Sequence, residues 1–511
     1  MSLLVSELNT DYFISNEQLD STNILSVLSA KKMQQTVQRK VDSDYLKVVE
    51  WQDHPEDYMQ EVLGFAPWTC IDADDQLDIV HAIRDHKRVS VRSGNGVGKT
   101  AVAARIAHWF LNCFYKSIVI TTAPTTRQVE KLLWGEMRDA HKNAVVDLGG
   151  ELLQTELRYE DKWYAIGFST DEKEKFQGFH APYILIIVDE ASGVSDDICE
   201  AIEGILTTEN ARILLIGNPT DPNSFFGSTH LHPKISAEWV RLHISCYNSP
   251  NVRAGKNVIP ALCAYDWPEQ KRKAWGEYNP FFIVRVIGNF PDTGEDYLVP
   301  YHMVHSALER TITPAGNKIF SIDVARFGGD KSVIGRMWGG QFRILKKIFK
   351  QDGVYVANKA MEQLKTKGNE DVDEIRVDVI GWGSGCFDDL NRMKRKGTDE
   401  EKEMLKNIKL VPVNVSEKPK SKKAKKDYYN LRAQAGFTLR GMFEEGQIDI
   451  DNEDLGIQAA NIKYEFRNGV YLLEEKDKFK ERLGKTMGSP DELDSLLISK
   501  VIARGASPRV W

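Results

Sequence analysis

Two successive α/β cores are predicted, the first on a mostly parallel sheet and the second on a mixed one. Three observations predict them. Strand-length apolar runs alternate with helical patterns over residues 88–244 and again from Lys318 onward. A turn-rich interval separates the two series. A glycine-rich stretch, Ser93-Gly-Asn-Gly-Val-Gly-Lys-Thr100, lies between a strand pattern and a helix pattern. The 511 residues leave room for about three domains at ~150 residues each. With 42% hydrophobic and 28% charged residues the composition is that of an ordinary globular protein, which excludes collagen-like and wholly disordered classes.

Taken in order, residues 1–60 read as an N-terminal leader with one helical pattern at 41–51 and no dense strand signal. The first core, 61–247, draws strands from 89–91, 118–121, 163–168, 184–188, 213–216 and 240–244, each short, apolar and separated from the next by a helical pattern or a turn. Residues 248–315 carry Asn248-Ser249-Pro250, Asn279-Pro280 and Thr313-Pro314-Ala315-Gly316 around a helix near 268–278, the composition of a structured linker. The second core, 316–511, opens with strands at 318–323, 332–338 and 341–348; tight turns between them, including Gly339-Gly340, make the three antiparallel. Strands at 374–380 and 409–413 follow helices at 354–365 and 384–394, so they need crossovers and run parallel.

No apolar run approaches the ~20 residues of a membrane span. The first ten residues lack the basic start and apolar stretch of a signal peptide, so a cytoplasmic location is expected. Cys70, Cys113, Cys199, Cys246, Cys263 and Cys386 lie far apart without a C-x-x-C pair, which predicts buried free thiols and neither a zinc site nor disulfides. Formal net charge is −7, but it is unevenly spread. Residues 392–440 hold 15 Lys and Arg against 6 Asp and Glu, a local +9.

The glycine-rich stretch has the strand, loop and helix setting of a P-loop. Gly94, Asn95, Gly96 and Gly98 let backbone N–H groups turn toward phosphate oxygens, Lys99 reaches the terminal phosphates, and Thr100 offers its hydroxyl to Mg²⁺. Its first position is Ser93 where the strict pattern has Gly. Tyr183-Ile-Leu-Ile-Ile-Val188 then delivers Asp189 and Glu190 to a strand end, Asp189 for the Mg²⁺ shell and Glu190 to orient or deprotonate the attacking water. Asn218-Pro219-Thr220 closes the next strand and is placed to sense the last phosphate. Trp68 and Gln76 are candidates to hold adenine by stacking and amide hydrogen bonds. The segment 121–129 follows the second strand, where translocating ATPases carry a DNA-contacting loop.

The second core presents carboxylates at corresponding places. Asp323 ends its first strand, Asp330 follows a Gly328-Gly329 turn, and Asp378 lies on its fourth strand. Asp491 and Asp494, three apart and so on one face, start a helix at 490–502. Such convergence suits two Mg²⁺ or Mn²⁺ ions that activate water and stabilise the leaving oxygen of a phosphodiester.

In this order the motifs resemble the large subunit of tailed-bacteriophage terminases over roughly residues 60–505. The resemblance implies a P-loop (RecA/ASCE-like) ATPase domain followed by an RNase H-like nuclease domain. It implies an ATP-driven motor that docks on the capsid portal as a homo-oligomeric ring, receives double-stranded DNA with a small terminase subunit, pumps it into a procapsid in the host cytoplasm, and cuts the concatemer. Lys99, Thr100, Asp189 and Glu190 would serve the ATPase, and Asp323, Asp378 and Asp491, with Asp494 as a fourth, the nuclease. Arg127, Arg138, Arg158 and Arg212 are candidates for the arginine finger. The competing expectation is a helicase-like ATPase fused to a repair nuclease, which a second set of nucleotide motifs after Thr220 would favour; none is evident.

Overall fold

The computed structural model describes residues 46–501 except 171–175, 177, 293, 295, 326–329 and 484–487. Most of the leader therefore lies outside the described residues, as does the Gly328-Gly329 turn. Residues 46–53 are helical, and Pro55–Glu61 forms a second short helix, started by proline and anchored by buried Tyr58 and Met59. The chain divides into two compact units. One comprises the residues up to Pro268 with Val284–Phe290; the other comprises Glu269–Ile283 and the residues from Pro291 onward. The stretch 248–315 thus contributes to both.

The first unit is built on eight strands. These are β1 (Arg88–Ser93), β2 (Ser117–Ala123), β3 (Glu151–Leu152), β4 (Glu156–Glu160), β5 (Trp163–Ser169), β6 (Tyr183–Val188), β7 (Ala211–Gly217) and β8 (Val240–Ile244), in the order β3-β4-β5-β2-β6-β7-β1-β8. Every pair from β5 to β8 is parallel, and only β3 and β4 at the edge run antiparallel. Central strands covered on both faces must be apolar throughout, and Ile184, Leu185, Ile186 and Ile187 of β6 are fully buried. Each contributes roughly 1.5–3 kcal/mol of burial. The helix Lys99–Cys113 buries Val102, Ile106, Trp109 and Phe110, and Ala103, Ala104 and Ala107 permit close packing between them. Because the strands are parallel, the ends of β1, β6 and β7 meet at one edge. That edge receives the P-loop, Asp189-Glu190 and Asn218.

Strand β2 extends to Ala123, so Thr122 and Ala123, expected beyond the strand end, are interior strand residues together with Thr121. Thr122 donates to the Phe168 carbonyl at 2.8 Å, and Thr121 accepts from Trp134 Nε1 at 2.8 Å. The exposed part of that segment is Thr125, Thr126 and Arg127.

The second unit has β9 (Lys318–Asp323), β10 (Lys331–Trp338), β11 (Gln341–Phe349), β12 (Glu374–Asp378), β13 (Lys409–Val413) and β14 (Asp449–Ile450), ordered β13-β12-β9-β10-β11-β14. The three antiparallel strands β9 to β11 flanked by parallel β12 and β13 give the RNase H-like arrangement. The β10–β11 turn needs glycine, since a Cβ on Gly339, at φ 60°, would meet the Ala315 carbonyl at 2.4 Å. A separate hairpin, β15 (Tyr464–Arg467) and β16 (Val470–Leu473), turns at Asn468-Gly469 with positive φ at both residues. The helix Asp491–Lys500 is buried on nearly every side and packs against β9 and β10. Among the described residues no helix is long and apolar enough to cross a membrane.

Candidate functional site

In the first unit the loop geometry follows from its glycines. Gly96 and Gly98 have φ of 67° and 79°, where a side chain is strained, and a Cβ on Gly94 would meet Cys246 Sγ at 2.6 Å. The Asn95 N–H donates to the Arg285 carbonyl at 2.7 Å, and the Asn95 carbonyl accepts from Cys246 Sγ at 3.1 Å. Asn218 spans the site, donating to the Ser93 carbonyl at 2.7 Å and accepting from Lys99 Nζ at 3.4 Å.

Lys99 Nζ lies 3.4 Å from Glu190 Oε1, and Thr100 Oγ1 donates to Asp189 Oδ2 at 3.0 Å. Burial works against the Lys99 charge, but Glu190 and Asp189 outweigh it and hold its pKa above the ordinary value. Burial, reinforced by Glu190, pushes the Asp189 carboxyl up to about 6 against the pull of Lys99 and Thr100. Glu190 adopts φ 49°, ψ 46°, a left-handed conformation that costs a non-glycine residue on the order of 1–3 kcal/mol. Gly217 makes room for that turn, since a Cβ there would meet the Ala191 nitrogen at 2.9 Å. A cradle free of side chains, a buried ammonium and a hydroxyl–carboxylate pair fit a nucleoside triphosphate with its Mg²⁺.

Gln76 and Trp68 are spent on the loop itself. Gln76 Nε2 donates to the Val97 and Gly98 carbonyls at 3.0 and 3.1 Å, its Oε1 accepts from the Trp68 N–H at 3.3 Å, and Trp68 Nε1 donates to the Val97 carbonyl at 3.1 Å. Both side chains brace the phosphate cradle. Of the arginine candidates, Arg138 donates to the Gln154 and Glu130 carbonyls, Arg158 pairs with Glu156, and Arg212 donates to the Arg84 carbonyl from the opposite end of the sheet. Arg127 is exposed beyond the end of β2 and has no ion-pair or hydrogen-bond partner among the described residues.

In the second unit Asp323 and Asp378 end neighbouring parallel strands, and the first turn of the helix Asp491–Lys500 brings Asp491 and Asp494 to them. Lys476, the first residue of the helix Lys476–Leu483 that follows β16, sits among these groups. Its Nζ is 3.2 Å from Asp323, 3.8 Å from Asp491 and 2.8 Å from Asp494. Among the described residues no three acidic groups stand at metal-holding separation; the ammonium occupies the centre as one cation. Burial pushes Asp323 up to about 7, with Lys476 opposing, and pushes Asp378 up to about 6. Asp491 is raised by burial, whereas Arg432 and Lys476 hold Asp494 below its ordinary value despite its burial. Carboxylate oxygens are the donor type that Mg²⁺ and Mn²⁺ take. Asp330 is not brought in; it pairs with Lys480 at 2.8 Å.

Two further residues of this site belong to no motif of their own. Arg432 donates from Nε to Asp494 at 3.1 Å and from Nη1 to the Glu474 carbonyl at 2.6 Å, and Lys476 follows the hairpin directly. Glu492, fully buried beside Asp491, is neutralised by Lys331 at 2.6 Å and Lys347 at 2.8 Å, so it is structural.

The family model of the AAA domain matches residues 76–226, which span the glycine-rich loop and strands β1 to β7. Over 437 residues the chain is 26% identical to the probable terminase large subunit of Enterobacteria phage P7, covering 81% of this chain and 84% of that protein. The chain is similar to a terminase large subunit. Among solved structures it resembles the large terminase of a thermophilic bacteriophage, at 11% identity and a TM-score of 0.39, covering 83% of this chain and 98% of that one. It also resembles the nuclease domain of the large terminase subunit of bacterial virus Sf6, at 17% identity and a TM-score of 0.31, covering 40% of this chain and 98% of that one.

Proposed function

We infer that the chain is the motor subunit of a viral DNA-packaging machine, hydrolysing ATP to move double-stranded DNA into a procapsid and cutting concatemeric DNA at a two-metal site. The observation that carries this is the presence in one chain of the Lys99–Glu190–Asp189 cluster at a P-loop and of four converging aspartates, three of them buried, where a helix meets the strand ends of an RNase H-like sheet. The likeness to a terminase large subunit supports it. The partners it requires are the portal, a small terminase subunit and further copies in a ring.

At the first site Lys99 holds the terminal phosphate, Thr100 and Asp189 hold the ion of Mg-ATP, and Asn218 links the lysine to the loop. Glu190 orients the attacking water and takes its proton. Arg127, unpaired among the described residues at the same edge of the sheet, is the candidate to complete a neighbouring copy's site. At the second site Asp323, Asp378, Asp491 and Asp494 would hold the divalent ions, whose chemistry when bound would be to activate water and stabilise the leaving oxygen. Lys476 neutralises the carboxylates until then, and Arg432 keeps Asp494 ionised and oriented.

Glu190→Gln is the direct test of the first site. It retains the shape at the left-handed turn but removes the base, so ATP binding should persist while turnover falls by about 10²–10⁴-fold. Isothermal titration and phosphate release read the two quantities, and turnover within a few fold of the parent would remove Glu190 from the role.

The lysine-rich segment is a second test. The structure gives Lys422–Asp427 a short helix capped by Ser421, which bonds the Ala424 N–H at 3.0 Å, with Ala424 buried and Lys418, Lys420, Lys422, Lys423, Lys425 and Lys426 exposed. Val415 and Tyr429, on either side of it in sequence, line the cavity over Asp323 and Asp378. A cationic surface beside the carboxylates offsets their repulsion of the phosphodiester through counterion release. Replacing the six lysines with glutamine should weaken DNA binding and flatten its salt dependence while ATP turnover without DNA stays unchanged. An unaltered salt slope would leave the segment without a role in binding.

A further inference from the structure

A cavity of about 920 Å³ opens over the aspartates of the second unit, with Asp323, Asp378 and Asp494 lining it. Its walls differ from what a phosphodiester backbone alone requires. One is formed by Val415 and Ser416 with Tyr429 and Asn430, and another is the hairpin, through Arg467, Val470 and Leu472. Main-chain pairing joins them, for the Tyr429 N–H donates to the Tyr471 carbonyl at 3.0 Å and Tyr428 bridges Tyr471.

Three side chains here have surface to spare. Tyr429 is 53% exposed and makes no ring contact or side-chain hydrogen bond among the described residues. Its neighbours behave otherwise: Tyr428, Phe437, Tyr464 and Tyr471 pack on one another, with Phe437 and Tyr471 centroids 4.5 Å apart. Arg467 is exposed at the hairpin tip without an ion-pair or hydrogen-bond partner among the described residues. Ile380 is 44% exposed two residues beyond Asp378. Lys476 and Arg432, by contrast, are committed to the carboxylates.

A sugar-phosphate chain has little apolar surface to set against a free tyrosine ring, an isoleucine and the Val415, Val470 and Leu472 side chains. A nucleobase has two broad faces that match them. Within a duplex both faces are covered by neighbouring bases, so a base reaches this wall only after leaving the stack. We propose that the cavity takes one DNA strand with the nucleotide beside the scissile phosphodiester turned out of its stack onto Tyr429, and the adjoining phosphate held by Arg467. The preferred substrate is then locally unpaired DNA, an assignment that rests on the nuclease role of the aspartates given above.

The full chain is tested with a labelled duplex and with the same duplex carrying a central mismatch bubble. With Mn²⁺ the bubble should be cut about tenfold faster, Tyr429→Ala should bring both substrates to one rate, and Tyr429→Phe should keep the preference, since the ring alone supplies the stack. Arg467→Gln should raise KM with kcat unchanged, as for a contact equal in ground and transition states. Fluorescence anisotropy with Ca²⁺ in place of Mn²⁺ reads binding alone and should show the same tenfold preference and its loss in Tyr429→Ala. Equal rates and affinities for the two substrates in the parent, or a preference that survives Tyr429→Ala, would overturn the proposal. Failure of the nuclease role is distinguished by Asp323→Asn: cutting undiminished in that variant sinks the site, while the anisotropy still decides the cavity.

Discussion

Lys99→Ala is expected to lower ATP turnover by at least about a hundredfold, the effect of removing one preorganised charge from a phosphoryl-transfer site. Metal-dependent nicking of plasmid DNA by the same variant should stay within about twofold of the parent. The argument is local. Lys99 Nζ meets Glu190 at 3.4 Å and Asn218 at 3.4 Å, so its loss leaves buried Asp189 and half-buried Glu190 as adjacent carboxylates without their cation and removes the charge that faces the terminal phosphate. The two activities separate because Lys99 belongs to one compact unit and the aspartate cluster to the other. Phosphate release and supercoil relaxation, measured on one preparation, check both halves. ATP binding and turnover equal to the parent would contradict the P-loop assignment.

Asp323→Asn and Asp378→Asn should each reduce DNA cleavage by at least about a thousandfold, since each removes the charge of a shared ligand while preserving its volume. Asp323 is 3% exposed and faces Lys476 at 3.2 Å. The amide leaves that ammonium with Asp491 and Asp494, so folding is retained and ATP turnover of the full chain stays at the parent level. That retained turnover separates loss of chemistry from loss of structure. Plasmid digestion in Mg²⁺ and in Mn²⁺ is the check, and cutting at the parent rate by both variants would dispose of this cluster as an active site.

The parallel strands of the first unit were legible because burial on both faces forces continuous apolar runs, as in Tyr183–Val188. The edge strands β3 and β4 were not, because Glu151, Glu156, Arg158 and Glu160 give them a polar composition. Aspartates at strand ends could be found by position, and Asp323 and Asp378 do stand side by side. Asp330 fits the same pattern yet pairs outward with Lys480. Lys476 and Arg432 could not be found, since each becomes meaningful only when the hairpin and the helix Leu431–Glu444 carry it to Asp494. The one available signal was Asn468-Gly469, the pair favoured in two-residue hairpin turns, which marks the hairpin beside Lys476. Gln76 and Trp68 show the converse: residue types suited to a base are consumed by the loop they brace.

ATP turnover by the purified chain with and without empty procapsids, in the presence of linear double-stranded DNA, tests the packaging assignment most directly. A packaging motor completes its working assembly only on the portal, so procapsids should raise turnover at least about tenfold, and Glu190→Gln should abolish the increase. Turnover stimulated by DNA alone and unchanged by procapsids, together with separation of the duplex strands, would contradict the account and identify a helicase-like ATPase.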